Sequence, residues 1–343
     1  MHNKTSVVIT TINKINENII NISKNCKKKK WSFHVVGDKK TPKSYKLPFG
    51  NFWSVKKQTN SNFKLAKKLP LNSYTRKNLG YLFSISEGAD IIIETDDDNY
   101  PYKSFYRDRK IKHNIKIVKD KGFYNVYRFY LEDKNIIWQR GFPIENILDI
   151  KKNKFTKRKI NCFLQQGLCN GNPDVDAIYR LMNKNLNIKF KDKTNLGVTG
   201  KTFSPTNSQN TTWFKDSFPL MYLPSFCSMR ATDIWRGIIA QFILNKNDQV
   251  TLFHSPNIKQ IRNQHNLQKD LLDEIEVYTN IKRLIKILET IKIKKGSKNY
   301  IINLKKCYEV LCGKNFFPLK ELELLNLWIE DLSNCFKTEK KTR

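Results

Sequence analysis

The chain has 343 residues, with 63 Lys+Arg against 31 Asp+Glu, for a formal net charge of +32. At 39% hydrophobic and 12% aromatic residues it holds enough apolar material for a full core, which excludes a disordered chain. No apolar run reaches the roughly 18 residues of a spanning helix. Seven cysteines at irregular spacing, none in a Cys-x-x-Cys pair, indicate neither a zinc ribbon nor a disulfide framework.

In chain order, Ser6–Ile12 is a short β-branched run that reads as a buried parallel strand. Its apolar stretch is too short for a secretory leader, so the expected location is cytoplasmic, with peripheral contact to an anionic membrane. Asn13–Lys24 carries Ile15, Ile19, Ile20 and Ile22 as a helix face, with Asn13 able to cap it. Ser32–Gly37 is a second buried strand, ending at Asp38. Tyr74–Gly88 has helical spacing and leads into Ala89–Thr95, a third buried strand. Alternating strands and helices predict an α/β fold with a mostly parallel sheet flanked by helices.

The middle is less regular. Gly122–Tyr130 alternates like a strand, Ile136–Trp138 reads as another, and Lys151–Lys159 as an exposed connection. Asn161–Gln166 reads as a strand and Pro173–Asn183 as a helix opened by its proline. Ala231–Leu244 is a strong helix and Val250–Phe253 a strand. From Pro256 onward the pattern is helical, over 267–290, 301–312 and 318–336. The expected division is a catalytic domain over 1–255 and a helical appendage over 256–343.

The most informative stretch is Glu94-Thr95-Asp96-Asp97-Asp98-Asn99. Adjacent carboxylates repel one another unless a cation compensates. These follow an apolar strand, at the carboxyl end, where open α/β sheets bind ligands. Asp96 and Asp98 fall on the same side of an extended chain, an arrangement suited to Mn²⁺ or Mg²⁺ bridging a diphosphate. A solvated turn is the alternative, and the motif alone also fits metal-dependent nucleases or phosphatases. No P-loop, Gly-x-Gly-x-x-Gly or Gly-x-Ser-x-Gly is present.

Other residues are read by place. Thr10, Thr11 and Asn13 end the first strand and can face a nucleotide. Asp38 can hydrogen-bond a ribose or base, or form a turn. Arg76, Lys77 and Asn78 open a helix, where cations favour phosphate. Asp174 and Asp176 open another, as candidate catalytic carboxylates or as ordinary helix-terminal acids. Asp233 is a candidate general base, Trp235 a flat face for a sugar ring and Arg236 a partner for a leaving diphosphate; a cap and a core Trp are the alternatives. His254 follows the last strand and can complete a metal site, while His34 reads as structural.

Four stretches together resemble the STELLO-type glycosyltransferase-like family. They are Val36-Gly37-Asp38-Lys39-Lys40-Thr41-Pro42; Arg76 to Tyr81 with Gly88 to Asn99; Gln165-Gln166-Gly167 with Asn172 to Ala177; and Ser208-Gln209-Asn210-Thr211 with Asp233 to Gly237. The order Asp-Asp-Asp, Pro-Asp-x-Asp-Ala, Asp-x-Trp is also similar to the reversibly glycosylated polypeptides. The resemblance implies a GT-A-like fold, a nucleotide-diphosphate sugar donor, Mn²⁺ or Mg²⁺, and a glycan, lipid-linked or protein acceptor. Plant STELLO proteins carry a membrane anchor and further regions not expected here. A nucleotide-sugar mutase remains open on the second resemblance. A nucleic-acid-binding protein remains open on the charge, although the basic excess is spread along the chain rather than gathered in a tail.

Overall fold

The computed structural model describes residues 3–118, 120–131, 136–149, 154–183, 185–263 and 266–342. The elements run β1 (Thr5–Thr11), α1 (Glu17–Lys29), β2 (Ser32–Gly37), β3 (Asn51–Trp53), α2 (Val55–Thr59), α3 (Lys77–Ser86), β4 (Ile91–Thr95), β5 (Asn99–Pro101), β6 (Lys112–Val118), β7 (Gly122–Phe123), α4 (Val126–Leu131), β8 (Phe155–Asn161) and β9 (Leu164–Gly171). They continue with α5 (Ala177–Met182), β10 (Leu196–Val198), β11 (Thr202–Phe203), β12 (Asn210–Phe214), α6 (Thr232–Lys246), β13 (Thr251–Gln260), α7 (Leu267–Glu289), α8 (Tyr300–Gly313) and α9 (Lys320–Thr342).

Most of the strands form one central sheet in the order β3-β2-β1-β4-β12-β9-β13-β10-β6-β8, with β5 on β13. It is parallel through β3-β2-β1-β4. Beyond that it is mixed, because β12 runs antiparallel to both β4 and β9. Alternation along the strands sorts side chains to two faces. Val7, Ile9, Ile91 and Ile93 pack with Ile19, Ile22 and Cys26 of α1. Val8 and Ile92 face the other layer, which holds α3, α6 and the C-terminal helices. The architecture is α/β with a sheet flanked by helices, as a GT-A-like fold requires.

Gly80 shows how closely α3 approaches the sheet. A Cβ there would lie 2.5 Å from Val8 Cγ1 and 2.9 Å from Val36 Cγ2. Gly80→Val is therefore expected to cost about 1–3 kcal/mol through overpacking, read as a lower thermal midpoint; an unchanged midpoint contradicts this packing.

Several local expectations change. The segment expected as a strand over Gly122–Tyr130 splits into β7 and α4. Its buried Val126, Tyr127 and Tyr130 stand at i, i+1 and i+4, a helical face as much as an alternating one. Ile136–Trp138 forms no strand. The proline-led helix starts later, at Ala177, where the Asp176 side chain accepts from Tyr179 N. Asn16, not Asn13, caps α1. Of the basic connection, 151–153 lie outside the described residues, and the rest enters β8.

The helices after β13 share the main core. Leu284, Leu288, Tyr308, Leu311, Trp328 and Leu332 belong to the same buried cluster as Leu79 and Ile238. Asp331 of α9 accepts from Lys64 N and Leu65 N at 3.0 and 2.9 Å. Strand β13 itself runs past the expected boundary, to Gln260. Among the described residues, no helix is long and apolar enough to cross a membrane, and all seven cysteines are free thiols.

Candidate active site

A cleft of about 540 Å³ opens at the carboxyl ends of β1, β2 and β4. The site begins where β4 ends. Asn99 N donates to Asp96 O at 3.3 Å, closing a turn over the acidic triplet. The chain then pairs β5 with β13, setting Asn99 opposite Gln260. That register delivers Gln260 Nε2 to Asp98 Oδ2 at 3.0 Å, with Asn263 N at 3.3 Å.

The three aspartates are held differently. Asp96 Oδ1 accepts from Tyr74 Oη at 2.8 Å and from Lys77 Nζ at 3.0 Å, and among the described residues no hydrogen bond reaches its Oδ2. Asp97 Oδ2 accepts from Thr11 Oγ1 at 2.5 Å and Asn13 Nδ2 at 2.9 Å. Asn16 and Asn18 grip the Asp97 carbonyl. Asp98 Oδ1 is buried, with no hydrogen-bond partner among the described residues. Burial, then repulsion from Asp96, pushes the Asp98 carboxyl up to about 6. Burial also raises Asp96, against the pull of Lys77.

One side of the cleft gathers Thr10, Thr11, Asn13, Asp38 and Arg76. Thr10 Oγ1 and Arg76 Nη2 are buried, with no hydrogen-bond partner among the described residues. The rest of the Arg76 guanidinium bonds Gln58 Oε1 at 2.6 Å and Leu69 O at 3.2 Å. The Asp38 carboxylate accepts from Lys39 N and Ser73 N at 2.6 and 2.9 Å, fixing the loop that carries Tyr74.

The opposite wall turns on a residue that sequence reasoning missed. Arg140 binds Asp174 through Nε and Nη2, at 2.9 and 2.7 Å. It binds Asp233 through Nη1 and Nη2, both at 2.9 Å. Burial would raise both carboxyls, but the Arg140 charge and hydrogen bonds outweigh it and hold them below the usual range. Asp233 also accepts from Ser208 N and Oγ. Asp233, the candidate base, lines the cleft as a counter-ion clamped by Arg140, and taking a proton would break into that pairing.

Other expected residues turn away from the cleft. Trp235 is buried, with Nε1 on Glu276 at 3.0 Å and its ring edge-on to Phe316, so it offers no sugar platform. Arg236 pairs with buried Glu94 at 2.8 Å and lies over Trp213, so it cannot meet a diphosphate. Asn78 clips the Leu223 backbone. Lys77 is fully buried behind Asp96 and meets no open phosphate site. Asp176 caps α5 and accepts from Trp138 Nε1 at 2.6 Å, a structural place. His254 does not line the cleft; burial, with Arg109 and His113 nearby, lowers it to about 4.

The segment after β13 completes the cleft. Arg262, Asn263, Asn266, Lys269, Asp270 and Asp273 line it from the β13–α7 connection and the first turns of α7. The helical pattern announced α7 but not where it docks.

Three findings relate the chain to known proteins. A family model described as STELLO glycosyltransferases matches residues 230–340, the stretch that carries α6 and this C-terminal wall. Probable glycosyltransferase STELLO2 of Arabidopsis thaliana is 25% identical over 322 residues, covering 89% of this chain and 42% of that protein. Probable glycosyltransferase STELLO1 of the same plant is 24% identical over 324 residues, covering 88% and 41%. The chain thus spans about two fifths of the length of these relatives. With its α/β frame and a polar cleft at the strand ends, the chain is similar to the STELLO glycosyltransferases over most of its length.

Proposed function

We propose that this chain binds a nucleotide-diphosphate sugar together with Mn²⁺ or Mg²⁺ and transfers the sugar to an acceptor hydroxyl in one inverting displacement. The observation that carries this is a pair of carboxylate oxygens that accept no hydrogen bond among the described residues, Asp96 Oδ2 and the buried Asp98 Oδ1, on two residues that line one cleft at the end of β4. Among the described residues, no group of three or more His, Cys, Asp or Glu side chains forms a metal site of its own. The residues still fit a hard cation that takes one or two carboxylates and completes its shell from phosphates and water. When bound, such a cation stabilises charge on the departing diphosphate.

The protein's own groups would do the rest. Thr10 Oγ1 and Arg76 Nη2, which have no hydrogen-bond partner among the described residues, would meet the nucleoside. Lys77 and Tyr74 hold Asp96 in place through its Oδ1, leaving Oδ2 for the cation. The acceptor, whether glycan, lipid-linked or protein, would share this cleft, which Met229 and Arg230 also line.

A thermal-shift screen of UDP and GDP sugars tests the reading. With Mn²⁺ present, a ligand at 100 times its Kd adds about 2.7 kcal/mol of apparent stability. At least one donor is expected to raise the midpoint with Mn²⁺ and much less with EDTA; no shift with any donor contradicts the proposal. Incubating that donor without acceptor separates transfer from mutase chemistry, and no rearranged nucleotide sugar is expected.

A further inference from the structure

The sugar-transfer reading needs a group to take the acceptor proton, and the partners of the cleft carboxylates narrow the choice. Asp38 is tied to two backbone N–H groups. Asp97 is tied to Thr11, Asn13 and Asn263. Asp174 and Asp233 share Arg140. Asp270 pairs with Arg262 at 2.8 Å. Asp96 and Asp98 face the proposed cation.

Asp273 is the cleft aspartate left over, and among the described residues its carboxylate makes no hydrogen bond or ion pair. It is half-buried, between exposed Leu272 and fully buried Glu274. Glu274 is engaged by Arg230, Tyr278 Oη and Ala177 N, so adjacent acids on α7 serve opposite ends: one anchors the helix, the other faces the cleft. The Ser228 hydroxyl donates to the Asp273 carbonyl, which steadies this turn without using the carboxylate.

We propose that Asp273 is the general base of the transfer, an inference that rests on the sugar-transfer reading. The Asp273 carboxylate takes the proton of the acceptor hydroxyl. The acceptor oxygen's electron pair forms the new bond to the anomeric carbon. The bond from that carbon to the donor phosphate oxygen breaks, and its electron pair leaves with the nucleoside diphosphate. A free carboxylate can accept a proton without first breaking an ion pair, which Asp233 and Asp174 cannot do.

The test uses the full chain, Mn²⁺ and the UDP or GDP sugar that gives the largest thermal shift. Water and simple alkyl glycosides serve as acceptors, and nucleoside diphosphate release is measured. Asp273→Asn is expected to keep the wild-type thermal midpoint and calorimetric donor affinity. Its release rate should fall about 10²- to 10⁴-fold, with the acidic limb of the pH–rate profile lost. Asp273→Gly should regain part of the rate in added formate, a recovery that a merely structural role would not give. Wild-type turnover in Asp273→Asn overturns the proposal, as does a loss that tracks a fall in thermal midpoint. A wild-type chain that binds no donor contradicts the sugar-transfer reading instead, and Asp273 falls with it.

Discussion

Arg140→Met is expected to lower stability by about 3–5 kcal/mol, the loss seen when one partner of a buried ion pair is removed. The side chains of Arg140, Asp174 and Asp233 are 5%, 8% and 8% exposed. Arg140 Nη2 alone touches both carboxylates, at 2.7 and 2.9 Å, so two buried acids would be left facing one another. Lysine is no substitute, because a point charge cannot make both forked contacts. Denaturant titration reads the loss. Asp174→Asn and Asp233→Asn added to Arg140→Met should recover much of it, since the three act as one unit. A loss below about 1 kcal/mol for Arg140→Met contradicts the clamp.

The strand ends were legible because β-branched runs of five to seven residues have few other readings. The acidic triplet was legible because it interrupts a basic chain right after such a run. Arg140 was not: it sits in a loop without periodicity, and its partners lie 34 and 93 residues away. Nor was the facing of α6. Thr232 to Asn245 are all buried, so no polar face marks which side meets the cleft. Asp233 meets it, while Trp235 and Arg236, two and three positions on, point into the protein. The C-terminal wall was hidden for a related reason. Amphipathic spacing locates α7 but not the edge it covers, and that depends on β13 ending beside the β4 turn.

Asp98→Asn is the second substitution with a large expected effect, and it separates binding from stability. The folded Asp98 carboxyl titrates near 6, above its ordinary 3.8, because burial and Asp96 disfavour its charge. A raised carboxyl favours the folded state fully below about pH 4, and that contribution is lost as pH rises through about 6. In metal-free buffer at pH 7 the ionised Asp98 therefore weakens the fold, and Asp98→Asn should be as stable as wild type or more so. The difference should shrink as pH falls toward 5. Donor binding should behave oppositely: the variant loses the oxygen proposed to hold the cation and with it the metal-dependent part of the affinity. Thermal midpoints across pH, with and without Mn²⁺ and donor, read both effects. A variant less stable than wild type at pH 7 in EDTA contradicts the reading of Asp98 as a carboxylate kept for binding at the expense of stability.

The most direct test of the central claim is a calorimetric titration of the wild-type chain with the best donor of the screen, run in Mn²⁺ and again in EDTA, beside the Asp96→Asn/Asp98→Asn double variant. Saturable binding in Mn²⁺, at least tenfold weaker in EDTA, and equally weak in the double variant under both conditions, is the predicted result. Equal affinity in all four titrations, or no binding by the wild type, would contradict a cation-bridged nucleotide-sugar site at the end of β4.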